Sequence, residues 1–72
     1  MIIVDRAYQF ALNFDNVKDF FVEDRKLKLN IGGTVVVAEF HDEIKARLAF
    51  KLIVSAYVAG EKIFYLNGRY TP

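Results

Sequence analysis

Residues 18–40 read KDFFVEDRKLKLNIGGTVVVAEF, and this stretch decides the fold. It contains three short runs rich in β-branched and aromatic residues, separated by Asp24-Arg25 and Gly32-Gly33. Such runs between turn residues predict a meander of strands Lys18–Glu23, Lys26–Ile31 and Thr34–Phe40. Gly-Gly permits the positive φ that a two-residue hairpin requires. That loop sets a register in which Ile31 faces Thr34, Leu29 faces Val36 and Leu27 faces Ala38. A two-residue loop at Asp24-Arg25 puts Val22 opposite Leu27 and Phe20 opposite Leu29. One face then carries Phe20, Val22, Leu27, Leu29, Ile31, Val36, Ala38 and Phe40. The two turns are read independently yet converge on one apolar face, which a one-residue slip would scatter. The opposite face is mixed. Glu23, Lys26 and Glu39 share a cross-strand row, with Lys26 placed to pair with both carboxylates. Phe21, Lys28 and Val37 make the next row, then Asp19, Asn30 and Val35.

Downstream lies Asp42–Gly60, DEIKARLAFKLIVSAYVAG. Asp42 suits an N-cap, and Asp42 and Glu43 suit the positive end of a helix dipole. Gly60 suits the position after the helix end. Set at 100° steps, the apolar residues span an arc of roughly 240°, far wider than the ~100° stripe a surface helix needs. One side, with Leu48, Leu52, Ala56 and Ala59, is expected to cover the sheet. The other side, with Phe50, Ile53, Val54 and Tyr57, is left to be covered by a second chain.

Working outward again, Ile2–Val4 reads as a strand. The alternation at Tyr8, Phe10 and Leu12 reads as strand too, either a second one broken off at Asp5-Arg6 or the continuation of one bent strand, and Asn13–Asn16 reads as a turn. After the helix, Lys62–Leu66 is a strand that is apolar on both faces. Asn67-Gly68 is a turn, and Arg69–Pro72 a tail or a stub of strand.

A chain of 72 residues forms one domain, near the size at which a single core supplies only about 3–5 kcal/mol. With no cysteine and one histidine, disulfides, thiolate metal sites and a histidine zinc site are set aside, which leaves oligomerisation as support. A 54% hydrophobic content with 7 Phe and 4 Tyr is too apolar for disorder. Net charge +1 gives no global field to steer the chain toward nucleic acid or membrane. The N-terminus MIIVDRAYQF has no signal-peptide pattern, and the charge-free run Leu52–Gly60 is far short of the ~20 residues that span a bilayer. A cytoplasmic protein is expected.

No motif for catalysis or cofactor binding is present. His41-Asp42-Glu43 sits at a strand-to-helix junction, where neighbouring side chains diverge, so it reads as a cap. Gly32-Gly33 lacks phosphate-loop spacing and precedes a strand. Arg25, Lys26 and Lys28 beside Phe21 could hold single-stranded nucleic acid by backbone attraction and base stacking. Nearby Glu23, Asp24 and Glu39 cancel much of that field. Tyr57 and Phe50 could line a ligand pocket, although a core or dimer contact is the commoner use of such side chains.

Sheet strands followed by a long apolar helix resemble, in element order, the family of single-stranded DNA-binding transcriptional coactivators that dimerise through their helices. The strand Lys62–Leu66 departs from that pattern. The segments Asn13-Phe14-Asp15-Asn16-Val17 and Val37-Ala38-Glu39-Phe40 also look like those of short uncharacterised proteins of bacteria and their phages, which implies no activity and no site residues.

The resulting expectation is an α+β domain over residues 1–72. It has a four- to five-stranded antiparallel sheet, one long helix packed on its apolar face, and a returning C-terminal strand that pairs either with an edge of the same chain or with a neighbouring chain. The expected function is a non-enzymatic, self-associating interaction module with no cofactor or metal. Its partner is itself, as a homodimer or higher oligomer, or another protein. Association would use Phe50, Ile53, Val54 and Tyr57. The alternative is single-stranded nucleic-acid binding through Phe21, Arg25, Lys26 and Lys28. No membrane contact is expected.

Overall fold

A computed structural model describes residues 1–6 and 10–67, and residues 69–70 through their backbone. Within these, the chain runs β1 Ile2–Asp5, β2 Ala11–Asn13, a 3-10 turn Phe14–Asn16, β3 Asp19–Glu23, β4 Lys26–Ile31 and β5 Thr34–Glu39. Helix α1 Glu43–Val58, β6 Ile63–Leu66 and β7 Arg69–Tyr70 follow. The protein is α+β with one helix among the described residues.

The meander β3-β4-β5 has the register derived from its turns. Phe20 pairs with Leu29, Val22 with Leu27, Leu27 with Ala38, Leu29 with Val36, and Ile31 with Thr34. Gly32 and Gly33 have φ of 60° and 100°, the two positive values of a tight hairpin turn. Asp24 takes the same role at φ 56° in the other turn, where a side chain is less at ease. Leu27, Leu29 and Ala38 are buried on the inner face, with Phe20, Val22, Val36 and Phe40 packed around them.

The expected single antiparallel sheet is corrected. The strands form two sheets, β2-β1-β6 and the meander, to which two-residue β7 adds beside β5. β6 runs parallel to β1, so the first sheet is mixed. Two features explain the split. The 3-10 turn, closed by Asn13 Oδ1 accepting from the Asp15 N–H at 3.0 Å, separates β2 from β3. The long connection from β1 to β6, which includes the helix, satisfies the need of a parallel pair for a connection of a dozen residues or more. Alternation along a strand shows which face is buried, not which neighbour it pairs with. Of the expected strand around Tyr8, Tyr8 lies outside the described residues, as do Gly68, Thr71 and Pro72 of the C-terminal turn and tail.

Helix α1 begins at Asp42, whose carboxylate accepts from the Lys45 N–H at 2.8 Å, and ends before Gly60, at φ 78°. Its phase differs from expectation. Ala46, Ala49 and Ile53 are buried, whereas Leu48 and Leu52 are about half exposed and Ala59 is exposed. The spacing between packed elements depends on the side chains at the contact. Two alanines let the helix approach closely, and Ile53 fills the remaining depth. Ile3, Leu27, Leu29, Ala38, Ala49, Ile53 and Leu66 make one core fed by both sheets and the helix. Full burial of a side chain the size of Leu27 or Ile53 contributes about 1.5–3 kcal/mol.

Candidate interaction surface

Leu48 and Leu52 stand one turn apart on α1, at 52% and 48% exposure. Across from them lies β6, an edge strand of its sheet. Leu48 and Leu52 from the helix, and Phe64 and Tyr65 from the strand, line a groove of about 500 Å³. Arg6 lies over the Tyr65 ring at 5.6 Å from its centroid. Ile63 and Tyr65 are half exposed on the outer face of the strand, beside Ile2 and Val4 of β1. Apolar surface therefore continues from the helix flank round the strand edge to the outer face of the small sheet. The β6 part was legible in the sequence as a strand apolar on both faces. The helix part was assigned to the wrong flank.

The four residues expected to associate are not on one open face. Ile53 is fully buried in the core, and Phe50 is half-buried with its ring 4.7 Å from that of Phe20. Val54 and Tyr57 are exposed, and the Tyr57 ring lies 5.3 Å from that of Phe14. The expected contact face is thus corrected: half of it is internal packing of one chain.

The meander brings the nucleic-acid candidates together. Phe21, 44% exposed, sits opposite Lys28, and Lys26 sits between Glu23 and Glu39. The carboxylates, however, take diagonal partners where Lys26 was expected. Lys28 Nζ donates to Glu23 Oε1 at 3.1 Å, and Arg25 Nε donates to Glu39 Oε2 at 3.2 Å. Two of the three basic groups are therefore held by acids at the surface.

His41 is exposed and borders a polar cleft of about 350 Å³ with Arg25, Glu39, Lys45 and Asn67. Asp42 is committed to the helix cap, and Glu43 pairs with Arg47 at 3.3 Å. Among the described residues, no three His, Asp or Glu side chains gather as a metal set. Sequence reasoning missed Asp5, a buried carboxylic residue at the end of β1, whose backbone N–H donates to the Phe10 carbonyl at 3.0 Å. Its short strand carries no pattern that marks it as buried.

Among the described residues, no helix is long and apolar enough to cross a membrane. No protein-family model, curated protein or solved structure matches the chain.

Proposed function

We propose that this protein is a non-enzymatic, self-associating interaction module that works through protein–protein contact. The observation that carries this reading is the apolar groove between α1 and β6, where Leu48, Leu52 and Tyr65 each stay about half exposed. Larger contiguous apolar patches on a small domain mark interaction sites. The reading is of a homodimer or higher symmetric oligomer at micromolar concentration, and of a cytoplasmic protein. Light scattering during size exclusion tests it. Twice the 8.3 kDa chain mass or more, falling on dilution, is expected. A folded monomer across the micromolar range would sink the reading.

A second reading, single-stranded nucleic-acid binding, is favoured by exposed Phe21 beside Lys28. The Glu23 and Glu39 ion pairs weigh against it. Salt-sensitive retention on single-stranded DNA would favour it over self-association.

A further inference from the structure

We propose that the free edge of β6 is the dimer contact, pairing antiparallel with β6 of a second copy about a two-fold axis at Phe64. This rests on the self-association reading and names its surface. Ile2 N–H donates to the Lys62 carbonyl at 2.8 Å, and Arg6 N–H to the Leu66 carbonyl at 3.0 Å. By the two-residue repeat of a strand, the backbone groups of Ile63 and Tyr65 point the other way, toward the open edge. A two-fold axis at Phe64 sets Ile63 against Tyr65 of the second copy. These two residues then exchange both backbone hydrogen bonds, and symmetry repeats the pair.

Among the described residues no strand pairs with the outer edge of β6, and the other sheet edges are better guarded. β3 carries Asp19 and Glu23, β2 has three residues, and β7 has two. β6 reads IFYL, with no charge and no proline. An unguarded apolar edge is a template for another strand. In this register Phe64 of the second copy lands on the inner side, above Leu48 and Leu52, and fills the groove. On the outer side Ile63 meets the second copy's Tyr65.

Charge agrees at both ends. The register places Glu61 opposite Asn67 of the second copy, and Asn67 borders the same clefts as Lys45. Past the strand ends, each Glu61 thereby comes to the mouth of the cleft that Lys45 of the second copy also lines, within the range over which exposed charges attract. In area, a standard interface takes about 800 Å² from each partner, roughly a sixth of the 4935 Å² surface of this chain. The half-exposed side chains of this strip supply on the order of 400–500 Å², and the strand edge adds to it. An interface of that size belongs with weak contacts, so a micromolar dimer that dissociates on dilution is the expected result.

Two experiments test the contact, each with wild-type light scattering alongside and circular dichroism to verify folding. The chain has no cysteine, so introduced ones report cleanly. A hydrogen-bonded cross-strand pair has Cα atoms about 5.5 Å apart, within disulfide reach. An oxidised equimolar mixture of Ile63→Cys and Tyr65→Cys chains should yield cross-linked heterodimer several-fold above either chain alone. The second experiment is a charge swap. Lys45→Glu or Glu61→Lys alone should weaken association by roughly threefold to tenfold, and the double variant should restore it. A wild-type dimer with indiscriminate or absent cross-linking and no rescue overturns the β6 contact and leaves self-association standing. A wild-type monomer overturns both.

Discussion

The rings of Phe20 on β3 and Phe50 on α1 lie 4.7 Å apart, tilted by 34°. Aromatic pairs in such geometry contribute about 0.5–1.5 kcal/mol beyond their buried area. The contact fixes the rotational phase of the helix, because Phe50 can face β3 only if Ile53 points inward and Leu48 outward.

Neighbouring helix positions should therefore respond very differently to truncation. Ile53→Ala opens a cavity in the core and should cost about 2–5 kcal/mol, enough to unfold much of a domain this small. Val54→Ala, at an exposed site, should stay within about 0.5 kcal/mol. Urea denaturation of the two variants checks this, and equal losses would mean that the helix phase is wrong.

The turns offer a second contrast. Gly32→Val with Gly33→Val forces two β-branched residues into positive φ, and should cost more than about 1–2 kcal/mol. Asp24→Gly relieves a side chain already at φ 56° and should leave stability unchanged or slightly raised. Thermal melts of both decide it. A melting point unmoved by the double valine change would refute the hairpin geometry.

These turns were also where the sequence was most informative. Local chemistry at Gly32-Gly33 and Asp24-Arg25 determines pairing within a hairpin, so the meander and its inner face could be read directly. The Asp42 cap and Gly60 stop were legible for the same reason. Partners distant along the chain were not. β1 and β6 pair in parallel across almost the whole sequence, and no turn chemistry encodes that choice. Helix phase was hidden differently: a 240° apolar arc has no sharp centre, so the sheet-facing line was settled by the small size of Ala46 and Ala49. The candidate surface inherited that error on Leu48 and Leu52.

Asn30 gives a third prediction. Its side-chain oxygen is buried with no hydrogen-bond partner among the described residues, and it lies in a row with Asp19 and Val35. An unsatisfied buried acceptor costs about 1–3 kcal/mol, and asparagine is a poor strand former. Asn30→Val should therefore stabilise the chain by about 1 kcal/mol, read as a higher denaturation midpoint at constant slope. A lower midpoint would mean that the amide makes a bond the geometry does not reveal.

The last prediction concerns the outer face of the meander. Glu23 holds Lys28 and Glu39 holds Arg25, so the basic groups around Phe21 are largely neutralised. Removing both carboxylates as Glu23→Gln and Glu39→Gln raises the net charge by two units. It also frees the cations beside an exposed aromatic ring, the pairing of features that holds single strands. Both sites are at or near the surface, and exposed ion pairs are worth about 0–1 kcal/mol each, so folding should survive. At the same low salt, wild-type protein should pass through a single-stranded DNA column, whereas the double variant should be retained and then released as salt rises. Strong salt-dependent retention of the wild type would instead favour the nucleic-acid reading. Retention of neither protein would mean that this face lacks the geometry for bases even when its charge is released.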